Sequence, residues 1–186
     1  NLQNGRPVYA PDYDDSAWET VSVPHPVNAH DTYDNHASDA GEASMFRGWM
    51  AYRKRLTIPA GRHFFLEFEA IRQTQYVYVD GRLVGFYEAG TAPTGYDLTP
   101  FVTPGRPALV CVLTDSSSGR GMKEYSAESA DEPGDWKGTA YQWNGSDFNP
   151  VQGGLTGNVR LHVKANDAYL TLPLWANLKT TGVYVW

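Results

Sequence analysis

Asp147 and Asn149 stand in DFNPVQGGLTGNVRLHV, residues 147 to 163, where a polar loop runs directly into the Gly153-Gly154 corner and an alternating strand. Such a loop can present side chains at a sheet rim, where a carboxylate accepts hydrogen bonds and a primary amide both donates and accepts them. Two readings stay open: these groups hold a ligand, or Asp147 caps a turn and Asn149-Pro150 opens one. Trp136, Tyr141 and Trp143 lie in the same polar stretch. An aromatic face can stack on the apolar C–H side of a pyranose and leave its hydroxyls free. The alternative is a small apolar cluster that holds a long loop together.

A second polar stretch, 25 to 48, contains His25, His30 and His36 with Asp31, Asp34 and Asp39. Their spacing fits neither a zinc motif nor a calcium loop, so solvated residues or contacts to a neighbouring domain are expected, and no metal or cofactor is implied. Ser116 to Gly121 contains glycines but lacks the Gly-Lys-Ser/Thr ending that cradles phosphate. Cys111, the one cysteine, sits inside ALVCVL and reads as a small buried hydrophobe.

The elements that must position these loops read as strands. A short strand is expected within 11 to 24, carrying Trp18, Val21 and Val23 before Pro24. Tyr52 to Ile58 reads as the next. In Phe64 to Ala70, Phe64, Leu66, Phe68 and Ala70 share one face, while Phe65, Glu67 and Glu69 share the other. Tyr76 to Val79 leads into Asp80-Gly81, a dipeptide suited to positive φ at both central positions of a type I′ turn, and Leu83 to Tyr87 returns. Pro107 to Thr114 is apolar on both faces, which predicts a central strand between two layers. Leu155 to Val163 and Tyr169 to Leu174 complete the set, with Gly182 to Trp186 starting a further piece.

The chain has 186 residues, 41% hydrophobic and 13% aromatic, with 12 Pro and 18 Gly, which favours short strands and many turns over helices. That length is ordinary for one β-sandwich and suffices to bury a core. A net charge of -6 excludes phosphate-backbone binding as the main activity, so no nucleic-acid partner is expected. No apolar run approaches the roughly 20 residues of a membrane helix, and no membrane partner is expected. The segment Asn144-Gly145-Ser146 matches a glycosylation acceptor and reads as an exposed turn.

Five segments, YRKRLTI (52 to 58), FLEFEAI (65 to 71), YVYVDGRLVGFYEAG (76 to 90), GYDLTPFV (95 to 102) and DFNPVQGGLTGNVRLHV, follow one another in an order that resembles the N-terminal sugar-binding domain of glycoside hydrolase family 2. This is the family of β-galactosidases and β-glucuronidases. DDSAWETVSVPH, 14 to 25, is a sixth match, so the resemblance covers nearly the whole chain. It implies an all-β fold, a jelly-roll β-sandwich of the galactose-binding-domain-like kind, filling residues 1 to 186. The opening Asn1-Leu2-Gln3-Asn4-Gly5 departs from the family's usual first strand and implies a trimmed start. Residues 178 to 186 resemble the exit toward an immunoglobulin-like domain.

The resemblance also implies partners: a terminal β-linked sugar, and immunoglobulin-like and barrel domains of the same parent. Hydrolysis of a glycosidic bond needs two opposed carboxyl groups, about 5 to 5.5 Å apart on the retaining route. In this family both are glutamates of the barrel, and no catalytic residue is assigned here. Glu67/Glu69 and Asp14/Asp15 read as salt-bridged or hydrated surface pairs. In family members an acidic residue from the loop before the Gly corner holds sugar hydroxyls in the neighbouring active site. Counted back from Gly154, the β-galactosidase pattern puts that acid at Phe148, so Asp147 carries the role only with a one-residue loop adjustment, and Asn149 could share or take it. His25, after Pro24, matches the family's Pro-His and reads as a structural hydrogen bond near the sandwich edge. The substrate-binding candidates are therefore Asp147, Asn149, Trp143, Trp136 and Tyr141. A free-standing carbohydrate-binding or lectin-like module, or a purely structural spacer, are the other readings. The family's lifestyle favours an extracytoplasmic location.

Overall fold

Runs of β-branched and aromatic residues in the middle of the chain form two facing antiparallel sheets. The computed structural model describes residues 2–3, 5–27, 49–72, 74–88, 92–115, 153–171 and 184–185, and among them there is no helix. The larger sheet contains β4 (Trp49–Thr57), β6 (Thr74–Val79), β7 (Arg82–Glu88) and β9 (Pro107–Asp115) in the order β4-β9-β6-β7. Facing it, β5 (His63–Phe68), β8 (Thr94–Asp97) and β11 (Val159–Lys164) are ordered β11-β5-β8. Short pairs complete the description: β1 (Leu2–Gln3) with β2 (Arg6–Pro7), β3 (His25–Pro26) with β10 (Gly154–Leu155), and β12 (Leu170–Thr171) with β13 (Tyr184–Val185).

The space between the sheets is filled by Phe64, Leu66 and Phe68 of β5 against Val77, Val79, Val110 and Val112 of the larger sheet. Each such side chain contributes roughly 1.5–3 kcal/mol when fully buried. As its two-sided apolarity predicts, β9 is central, paired with β4 on one side and β6 on the other. The expected hairpin also forms: Asp80 and Gly81 have φ of 47° and 81°, the signs a type I′ turn requires. With a core face and an opposite face that carries Glu67, β5 follows the alternation in its sequence.

Residues 11 to 24 depart from the expected strand. They form successive turns, closed by Tyr13 N–H to Ala10 O at 3.2 Å and Trp18 N–H to Asp15 O at 3.0 Å. This segment covers the outer face of the larger sheet, where Val8, Tyr76, Tyr78, Cys111 and Leu113 make a second buried cluster with Tyr9, Tyr13 and Trp18 packed on it. A buried guanidinium takes the place of a partner strand. Arg53 of β4 donates to the carbonyls of Val8, Ala10 (3.0 Å) and Tyr13 (3.3 Å), and to the Asp15 carboxylate (2.7 Å). The alternation of Trp18, Val21 and Val23 misleads because Val23 is exposed.

A second departure is the break in the expected strand 155 to 163. Thr156, Gly157 and Asn158 leave the ladder, so β10 pairs with β3 while β11 pairs with β5. The cause lies across from the break, where the Glu69 carboxylate takes the Asn158 side chain at 2.6 Å and its backbone N–H at 3.1 Å.

Candidate functional site

The five sequence-derived candidates, Trp136, Tyr141, Trp143, Asp147 and Asn149, lie outside the described residues, as do His30, Asp31, Asp34, His36 and Asp39. What the structure describes is the base from which their two stretches rise. Register puts Trp49, Asp115, Thr74 and Glu88 in one row across the larger sheet. Trp49, Asp115 and Glu88, the described residues next to three stretches of the chain, therefore stand at one end of the sandwich. Residues 69 to 72 follow β5 at that same end, just before Thr74 opens β6 in the other sheet.

The two long stretches are tied together where they meet the sheets. β3 lies at the start of the first, β10 just beyond the second, and the two pair through Pro26 with Gly154 and His25 with Leu155. Val27 N–H adds a bond to Gly153 O at 2.9 Å. On its other side Gly154 bridges to Arg72, with Arg72 N–H to Gly154 O at 3.2 Å and Gly154 N–H to Arg72 O at 3.4 Å. The Gly153-Gly154 corner is thus held from both flanks.

Glycine is required at the second of these positions. Gly154 has φ of +96°, a region in which a β-carbon is strained, and a β-carbon there would run into the Tyr52 hydroxyl and sit 3.0 Å from His25 O. The same hydroxyl donates to His25 O at 3.1 Å and lies 3.2 Å from His25 Nδ1. Burial raises the Tyr52 phenol above its ordinary value, so it stays a neutral donor. The expected structural hydrogen bond of His25 is present, and its partner is Tyr52.

Among the described residues, the buried polar side chains gather at this end of the fold. Thr74, Gln75, Thr94, Thr114 and Asp115 are all buried there, and Gln75 and Thr94 hydrogen-bond across the two sheets at 2.8 Å. Arg72 joins them with 7% of its surface exposed. Sequence reasoning missed Tyr52 and Arg72. The signal for Arg72 was present in EAIRQTQ, a cation directly after Ile71, where a core-facing strand gives way to the next.

The paired carboxylates behave as surface groups. Glu67 lies 2.5 Å from His162 Nε2, and Glu69 is ion-paired with Arg160. The hydrogen bond from Arg160, followed by those from Asn158, lowers the Glu69 carboxyl below its ordinary value. A carboxyl held ionised in this way cannot serve as a general acid near neutral pH. Asp14 and Asp15 are also occupied: Asp14 accepts the Ser16 N–H at 3.0 Å, and Asp15 holds Arg53.

A β-glucuronidase of Formosa agariphila is 35% identical over 179 residues, covering 94% of this chain and 17% of the relative. The solved structure of a β-glucuronidase from glycoside hydrolase family 2 superposes with a TM-score of 0.72 at 32% identity, over 96% of this chain and 18% of that one. The chain belongs to glycoside hydrolase family 2, as a domain of its N-terminal kind. A β-galactosidase of Thermoanaerobacter pseudethanolicus is 32% identical over 113 residues, 59% of this family 2 domain and 14% of the relative. The chain therefore spans less than a fifth of the length of each of these relatives. No family model matches it. The all-β sandwich expected from the sequence is the fold of this family 2 domain.

Proposed function

We propose that this chain is the sugar-binding domain of a β-glycosidase that acts on a terminal β-linked sugar, with the stretches 25 to 48 and 115 to 150 supplying substrate-selecting groups to an active site completed by a barrel domain of the same parent. The observation that carries this reading is the 35% identity to a β-glucuronidase that runs across 94% of the chain while covering only 17% of the enzyme. The tie between β3 and β10 supports it, because it fixes the roots of both stretches beside each other on a rigid end of the sandwich.

In this role Asp147 and Asn149 hold sugar hydroxyls, and one or more of Trp136, Tyr141 and Trp143 stacks on the pyranose ring. The described carboxylate pairs are engaged by Arg160, Asn158, His162, Ser16 and Arg53, which agrees with the two hydrolytic carboxyl groups lying elsewhere in the parent. The free-standing module reading gains no support from relatives several times longer than the chain. Two linked measurements test the proposal. The gene product in its source cells, detected with an antibody against this domain, should be several times the 20.6 kDa of the chain. The complete protein should release nitrophenol from a nitrophenyl β-glycoside and the purified chain should not. A native product near 20.6 kDa, or turnover by the chain alone, would contradict it.

A further inference from the structure

β3 and β10 pair over two residues each, too short a ladder to hold by itself. It is braced by the Arg72 backbone and by a side chain that belongs to neither strand. Tyr52 stands on β4, paired with Val112 of the central β9, and its ring packs on the core between the sheets and edge-on to His25, with ring centroids 5.9 Å apart. A ring packed in this way has little freedom. Its hydroxyl is delivered to one fixed point at the end of the sandwich.

That point touches both strands of the pair. On β3 the hydroxyl donates to the His25 carbonyl at 3.1 Å and lies 3.2 Å from His25 Nδ1. On β10 it fills the space that a side chain at residue 154 would need. Burial is the main influence on the phenol and raises it, while a hydrogen bond from the Leu155 backbone works the other way. One hydroxyl thus ties the start of the stretch 25 to 48 to the end of the stretch 115 to 150. Asn149 and Asp147 precede Gly153 by four and six residues. At no more than about 3.6 Å per residue, where they can reach depends on where that corner is held.

We infer that Tyr52 is a positioning residue of the active site: its hydroxyl fixes the spacing between the roots of the two substrate-selecting stretches and, through the Gly153-Gly154 corner, the place from which Asp147 and Asn149 reach the sugar. The inference rests on the proposed function and adds to it a residue that acts through the substrate-binding groups. Misplacing such groups by about 1 Å can cost as much as 100-fold in rate, so even partial loosening of the corner is measurable.

Tyr52→Phe keeps the ring and its packing and removes only the hydroxyl. In the complete protein, with a nitrophenyl β-glycoside, it should raise KM roughly 3- to 10-fold, the range of one lost hydrogen bond, with kcat within about twofold of wild type. A hydroxyl that merely stabilised the fold would lower the active fraction instead, reducing the apparent kcat and leaving KM alone. Val79→Ala, a core deletion beside the Asp80 turn at the opposite end, is the control, and should lower Tm without moving KM. In an Asp147→Ala background, Tyr52→Phe should add less than about twofold, because both changes act on one loop. Hydrogen exchange at the Val27 and Leu155 amides reads the corner with no substrate present. Tyr52→Phe should speed it roughly 3- to 10-fold, while the Leu109 amide, bound to the Asp80 carboxylate at 2.8 Å, exchanges as in wild type. An unchanged KM, fully additive losses in the double variant, or unchanged exchange at the corner would each overturn the assignment. An unchanged kcat/KM for Asp147→Ala alone is a failure of the proposed function, and the exchange and KM of Tyr52→Phe are read apart from it.

Discussion

Arg53 shows how one side chain can replace a missing strand. The segment 5 to 18 meets the sheet through Val8, aromatic faces, backbone carbonyls and Asp15, and Arg53, with a side chain 1% exposed, collects three of those carbonyls and Asp15 while lying 5.4 Å from the Tyr13 ring centre. The hydrogen bond to Arg53 holds the Asp15 carboxyl below its ordinary value. Beneath this cover Cys111 is buried, and burial pushes its thiol up to about 12. Arg53→Ala should therefore destabilise the fold by about 3 kcal/mol, since it strands several acceptors at once. It should also open Cys111 to solvent. Iodoacetamide labelling of the native protein at neutral pH should be negligible in wild type and measurable in the variant, whereas equal protection in both would show that the segment is held by its aromatics alone. This cover was not legible in the sequence, because a strand is announced by its own alternation while a carbonyl-collecting arginine is announced by nothing local.

At the scale of elements, the informative object is the corner at Gly154, where β10 touches β3 on one side and Arg72 on the other. Its positive φ and the Tyr52 hydroxyl against it leave no room for a side chain. Gly154→Ala should cost about 1–3 kcal/mol, the range for strain at a sparsely populated backbone conformation, read as a Tm lowered by roughly 2–4 °C per kcal/mol in a domain of this size. A Tm unchanged within a degree would show that the corner has slack. The Gly-Gly corner, the Asp80-Gly81 hairpin and the central placement of β9 were all legible, because glycine needs and two-sided burial leave marks in a short window. The break after Leu155 was not. It depends on Glu69 reaching Asn158, residues far apart in sequence, and a run such as LTGNVRLHV looks continuous until that partner is known.

At the scale of the whole molecule, the sandwich is a platform with one polar end. The described residues that flank both long stretches stand at that end, β3 and β10 pair there, and the buried polar residues Arg72, Thr74, Gln75, Thr94 and Thr114 gather there. Most of this platform could be read from strand alternation and turn residues, while its two buried arginines could not, since their roles follow from which distant backbone surrounds them. The candidate side chains of the loop, Asp147 above all, were named from the family resemblance and lie outside the described residues. The central claim is that this domain reaches into an active site. Its most direct test is kcat/KM of the complete protein on a nitrophenyl β-glycoside, wild type against Asp147→Ala. A fall of about 10- to 100-fold with Tm unchanged is predicted, the effect of losing a charge-assisted hydrogen bond to substrate. An unchanged kcat/KM would contradict the claim and leave the domain as a structural support.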